Sequence, residues 1–172
     1  MIIEVVIRMK TLLSKEKNEM IANLLTSIFL LHPELAAIQI DSLKKKLKLK
    51  YFLVESINIS ERIKTIELLW KSYLNLKKAG NHILKIDFCN LENYVMIEVL
   101  RDLDTFNLEE LKFIIDAGKG LGLNFVSDEY LDLLDYIEVD EQQISLLLEN
   151  TKKNLYQKVF AFREEGRVVI AN

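Results

Sequence analysis

The sequence predicts an α/β fold built on a parallel sheet, and three observations predict it. Between Gly80 and Asn172, short apolar runs alternate with segments of helical periodicity. The runs at 83–87, 95–98, 123–129 and 136–140 each end in an acidic residue, and a fifth, at 166–172, ends in an amide. All five glycines fall between the end of a helical segment and the start of an apolar run. That is where repeated β–α units place the left-handed residue that closes a helix. Near-continuous apolar runs of this length read as strands buried on both faces. Acids at their C-terminal ends fall where parallel α/β folds gather their chemistry.

In order along the chain, residues 2–8 are rich in β-branched side chains and read as a strand. From Glu16 to Leu31, the apolar Met20, Ile21, Leu24, Leu25 and Ile28 recur at helical spacing, and His32-Pro33 ends that helix. Residues 34–47 read as a second, less regular helix. Residues 44–50 hold five lysines in seven positions. Ser60 then opens a clear helix with Ile63, Ile66, Leu69, Trp70, Tyr73, Leu74 and Leu76 on one apolar face, closed by Lys77, Lys78 and Gly80. The runs at 83–87 and 95–98 are too close for a crossover helix between them. Either that pair is antiparallel or residues 91–101 are helix. A helix follows over 108–117, opened by Asn107 and closed by Gly118-Lys119-Gly120, and Gly122 opens the strand ending in Asp128-Glu129. A short helical turn over 130–134, the strand ending in Asp140, one or two helices over 141–164 and the run from Gly166 complete the chain.

A chain of 172 residues reads as one domain, 1–172, with 11–58 as a helical insertion within it. Half of the residues are hydrophobic, enough for a substantial core. A net charge of −3 supplies no global drive toward nucleic acid or a membrane. The single cysteine excludes an internal disulfide framework and suits a reducing compartment. Glu4 interrupts the first apolar run, so it does not read as a signal peptide, and Asn23, Thr26 and Ser27 break the longest one, so no membrane span is expected. The expectation is a cytoplasmic protein.

Taken together and in order, the segments resemble an EAL domain, the TIM-barrel family that hydrolyses cyclic di-GMP. Glu4-Val5-Val6-Ile7-Arg8 resembles the Glu-Ala-Leu-x-Arg signature. The helix ending Lys-Lys-Ala-Gly resembles the one before the family's third strand. Ile86-Asp87 stands where the family has an Asn-bearing strand end, and Ile97-Glu98 resembles its Leu-Glu strand. Residues 121–130 resemble its Leu-Gly…Asp-Asp-Phe segment, residues 135–140 its Asp-Tyr-x-Lys-x-Asp strand, and residues 166–172 a strand ending in Ala-Glu-Gly.

The resemblance implies an incomplete TIM-barrel-like parallel sheet with surrounding helices. It also implies a mouth lined by Glu4, Asp87, Glu98, Asp128, Glu129 and Asp140, as remnant metal ligands or as solvated acids pairing with Lys85 and Arg8. Arg8 would be a phosphate contact in the sharper version. Departures from the pattern argue against catalysis: Asp87 replaces an Asn, Glu138 a Lys, and Ala171 or Asn172 a Glu. Two-metal hydrolysis needs its full set of oxygen ligands. The expectation is therefore a degenerate EAL-like regulatory domain, without a cofactor, that acts by binding a protein partner or a second copy of itself. A cyclic di-GMP phosphodiesterase or receptor using Mg or Mn is the alternative.

Other readings come from single residues. Lys44, Lys45, Lys46, Lys48 and Lys50 form a basic docking surface, on an amphipathic helix with snorkelling lysines or, as a lesser alternative, in a helix-turn-helix that binds DNA. His32 and His82 lack neighbours at zinc spacing. Cys89 reads as a buried, inert thiol. Gly118 to Gly122 follow a helix and precede a strand, the reverse of the order that a phosphate-binding loop needs.

Overall fold

A computed structural model describes residues 5–8, 15–54, 57–78, 80–127, 140–154, 157–164 and 166–172. The elements in chain order are β1 (Val5–Arg8), α1 (Lys15–Leu31), β2 (Leu35–Asp41), β3 (Lys46–Val54), α2 (Ile59–Leu76), β4 (Leu84–Asn90), β5 (Tyr94–Asp102), α3 (Glu109–Gly120), α4 (Glu141–Asn154), β6 (Lys158–Glu164) and β7 (Arg167–Ala171). The seven strands form one sheet in the order β1-β7-β6-β2-β3-β5-β4.

Every pairing among β2 to β7 is antiparallel, and only β1 on β7 is parallel. This overturns the expected parallel, TIM-barrel-like sheet. The connections decide it. β2 joins β3 through residues 42–45, β4 joins β5 through 91–93, and β6 joins β7 through 165–166. Links this short return the chain alongside itself, whereas a parallel pair needs a crossover of a dozen residues or more. The short link after Asp87 is thus a hairpin turn, and residues 94–102 are strand.

The expected helical insertion over 11–58 also fails after α1, because β2 and β3 occupy its second half. Asp41 and Lys45 shape the turn between them. The Asp41 carboxylate accepts the Lys44 backbone N–H at 3.0 Å, and Lys45 takes a left-handed conformation at φ 52°. A helix-turn-helix over this stretch is excluded, since Lys46 to Val54 are extended and pair on both sides with strands. The segment after α4 likewise returns as the β6–β7 hairpin. Its Gly166, at φ +74°, sits in a β-turn and not after a helix.

Alternation within the strands gives the sheet two unlike faces. Leu47, Leu49, Tyr51 and Leu53 of β3 are fully buried, and Val95, Ile97, Val99 and Arg101 of β5 stand beside them. Ile38 and Ile40 of β2, Val159 and Ala161 of β6, Val168 and Ile170 of β7, and Leu84 and Ile86 of β4 extend that layer. The helices cover it with Ile21, Leu24, Leu25, Ile28 and Phe29 of α1, Ile63, Ile66, Trp70 and Leu74 of α2, Leu111, Ile114 and Ile115 of α3, and Ile144 and Leu148 of α4. These recur at three- and four-residue steps, the spacing of one helical face. Burying each such side chain contributes about 1.5–3 kcal/mol. The helices pack as two pairs, α1 on α4 and α2 on α3. No described helix is long and apolar enough to cross a membrane.

Candidate functional site

The face of the sheet turned away from the helices, which no described element covers, collects the charged residues that the sequence singles out. Lys46, Lys48 and Lys50 alternate with the buried leucines of β3 and point away from the helices. Register places Glu98 of β5 beside Lys50, and Asp87 of β4 beside Glu98. Two acids directly opposite one another in neighbouring strands repel. Lysines offset this: Lys48 Nζ donates to Glu98 at 2.7 Å, Lys50 Nζ approaches its other oxygen at 3.4 Å, and Lys85 Nζ donates to Asp87 at 2.6 Å. The Lys48 bond, and the positive charges of Lys48 and Lys50, hold the Glu98 carboxyl below its ordinary pKa of 4.5 despite partial burial.

On the other side of Lys48 and Lys50 lie Gln39 and Ala37 of β2, then Phe160 and Phe162 of β6. The two rings are half-buried, with centroids 5.4 Å apart. Gln39, Lys48, Lys50, Glu98 and Phe160 surround a depression of about 70 Å³. With Phe52, Met96 and Leu100 nearby, the face is a band of lysines bordered by partly exposed apolar surface. It offers ammonium donors to anions and rings to apolar or planar groups.

The remaining predicted site residues do not join it. Lys44 and Lys45 belong to the β2–β3 turn, where Lys45 Nζ approaches Asp104 at 3.4 Å. Asp140 itself lies outside any strand. It caps α4, accepting the backbone N–H of Gln142 at 2.9 Å and of Gln143 at 3.4 Å. Arg8 is the last residue of β1, in register with Ala171 of β7. Glu4, Asp128 and Glu129 lie outside the described residues, as do the helical turn expected over 130–134 and the strand expected over 136–139. Of the run starting at Leu123, the described part makes one antiparallel bridge, Leu53 to Phe125. A barrel mouth ringed by strand-end acids therefore does not form around Asp87, Glu98 and Asp140. Among the described residues no three His, Cys, Asp or Glu side chains stand where they would hold a metal ion together. Cys89 is exposed on β4, contrary to the buried thiol expected.

A second concavity, which the sequence does not announce, separates the two helix pairs. It encloses about 640 Å³ and is walled by Tyr73, Lys77, Glu109, Phe113, His32 and Glu141, among others. Tyr73 stacks on Phe113 at 4.8 Å and donates to Glu109 at 2.9 Å, and Lys77 Nζ donates to the same oxygen at 3.0 Å. Partial burial and the bond to Glu109 push the Tyr73 phenol up to about 12. Its helical spacing marks Tyr73 only as core; the polar contacts depend on where α3 packs.

Comparison with protein-family models, curated proteins and solved structures gives no match.

Proposed function

We propose that the protein is a non-catalytic binding module whose uncovered sheet face docks an acidic segment of a protein partner. One observation carries this reading. On a chain of net charge −3, the face sets Lys48, Lys50 and Lys158 near Phe160 and Phe162, with Lys46 beyond Asp41, and Glu98 is shared by Lys48 and Lys50. An extended segment with alternating acids and apolar residues matches this pattern, with carboxylates on the lysines and side chains on the rings.

The test is calorimetric titration with a synthetic peptide alternating Glu with Leu or Phe. Binding that weakens with salt and falls about tenfold or more in Lys48→Glu/Lys50→Glu supports the reading. No heat with the parent protein, or equal binding by the variant, overturns it. A second reading, single-stranded nucleic acid, is favoured by the half-buried ring pair beside lysines on an antiparallel sheet face. Tighter binding of an oligothymidylate than of the peptide, lost in Phe160→Ala/Phe162→Ala, would replace the first reading. Turnover of cyclic di-GMP in Mg or Mn, abolished by Glu98→Ala, would replace both.

A further inference from the structure

The sheet ends at β4, and among the described residues nothing pairs with the outer backbone edge of that strand. An open edge of seven residues is a template for another strand. Proteins that keep such an edge free commonly set a lysine or a proline on it. β4 carries a lysine and an aspartate two residues apart, Lys85 and Asp87, both more than 60% exposed and on the uncovered side of the sheet. Large apolar side chains stand with them at the same edge: Ile83 and Leu91 are each 46% exposed and Phe88 is 39% exposed.

Consider two copies of β4 running antiparallel about a two-fold axis through residue 86. Residues whose numbers sum to 172 then face one another. Lys85 of each copy meets Asp87 of the other, twice over. Leu84 meets Phe88, Ile86 meets Ile86, and Ile83 meets Cys89. Shifting the axis to residue 85 sets lysine against lysine, and shifting it to 87 sets aspartate against aspartate. Opposite charges across a strand pair stabilise it and like charges oppose it. Side chains of directly opposed residues share a face, so the exposed Phe88 ring covers Leu84 on the helix side while the charges cross on the other.

We infer that β4 is a self-association edge, where two copies join antiparallel in the register that pairs Lys85 with Asp87 and continue one sheet across both. The occupant is a second copy because the edge is complementary to itself in charge and in apolar content. In the single chain Lys85 bonds to its own Asp87 at 2.6 Å. Association exchanges the two such contacts, one in each copy, for two between copies and adds main-chain hydrogen bonds that the free edge lacks. Asp87 borders the lysine-bearing band at Glu98, but pairing along the β4 edge uses none of Lys46, Lys48, Lys50, Phe160 or Phe162, so neither proposal depends on the other.

The experiment is sedimentation equilibrium on the full chain. The parent is expected to form a dimer. Lys85→Asp and Asp87→Lys alone each weaken it about tenfold or more, and the double reversal Lys85→Asp/Asp87→Lys restores it, which general damage to the fold would not do. In the same register, Ile83→Cys forms a disulfide with Cys89 of the second copy under mild oxidation, and Ile83→Cys/Cys89→Ser does not. A parent that stays monomeric at every concentration overturns the inference. So does a dimer that tolerates both single reversals, or one lost instead on Phe160→Ala/Phe162→Ala.

Discussion

Arg101 and Glu110 form a two-pronged ion pair in which neither side chain is exposed: Nε donates to one carboxylate oxygen at 2.7 Å and Nη2 to the other at 3.0 Å. Trp70 Nε1 donates to Glu110 at 2.9 Å, and the Asn107 backbone N–H donates to its other oxygen at 3.1 Å. Arg101 also donates to the Ile83 carbonyl at 2.8 Å and to Thr105 at 3.2 Å. The pair thus ties β5 to the start of α3, to α2 and to the chain entering β4. Both ions are desolvated, so their mutual attraction first offsets a penalty of several kcal/mol per ion.

Removing Glu110 leaves the buried Arg101 with only the Asp102 carboxylate on its Nη1, and removing Arg101 leaves the buried Glu110 without its cation. Glu110→Ala is expected to destabilise the fold by about 3–5 kcal/mol, and the double change Arg101→Met/Glu110→Leu by much less. Urea melts followed by the fluorescence of Trp70, the one tryptophan in the chain, read this directly. A double variant as unstable as Glu110→Ala would show that the ion pair itself, and not the orphaned charge, holds these elements.

How much of this was legible depends on where the information resides. The periodicities of α1 and α2 mark most of their buried faces because helical spacing is set locally, although Leu69 and Leu76, expected on the apolar face of α2, are exposed. The apolar runs mark β4 and β5, and the link between them is too short for a crossover helix, but the sequence leaves a hairpin and a helix over 91–101 both open. β2 and β3 differ from the expected helix because the density of lysines masks a different pattern. Lys46-Leu47-Lys48-Leu49-Lys50-Tyr51 alternates strictly with period two, the sign of a half-buried strand. Glu98 was found as a strand-end acid, yet it lies mid-strand, and its pairing with Lys48 and Lys50 depends on a register that spans some fifty residues of chain. Arg101 and Glu110 carried no local signal, since either is unremarkable until the other is placed beside it.

Gly118 is a second residue whose role is tertiary. The sequence offers it as a helix-closing glycine, but it is buried inside α3. A β-carbon built on it would stand 2.5 Å from Cε2 and 2.7 Å from Cζ of Phe125. That ring packs edge-on against the fully buried Tyr51, with centroids 5.8 Å apart, so it has little freedom to yield. Gly118→Ala would gain up to about 1 kcal/mol in helix propensity. Overpacking costs about 1–3 kcal/mol. The clash wins, and a net loss of about 1 kcal/mol is expected in thermal or urea melts. In a Phe125→Leu background the same change is expected to become neutral or stabilising. A stabilised Gly118→Ala in the parent would show that Phe125 moves freely.

His32 and Glu98 contribute to two successive stages in the dependence of stability on acid. Burial holds the His32 imidazole below its ordinary pKa of 6.5, although Glu34 and Glu141 pull it back upward. An unfolded chain takes up this proton near 6.5 while the folded chain does not. The His32 contribution is therefore fully present above that pH and declines as pH falls from 6.5 through the folded value. Glu98, held low by Lys48, follows the same sign at lower pH: its contribution is present above 4.5 and lost as pH falls through its depressed value. Unfolding free energies from urea titrations at stepped pH should fall first below about 6.5 and again below about 4.5. His32→Gln is expected to flatten the first decline and Glu98→Gln to lessen the second, to which Asp102 and Glu109, both also held below their ordinary values, contribute as well. If His32→Gln keeps the full decline between these two pH values, then His32 is not the group that takes up the proton there.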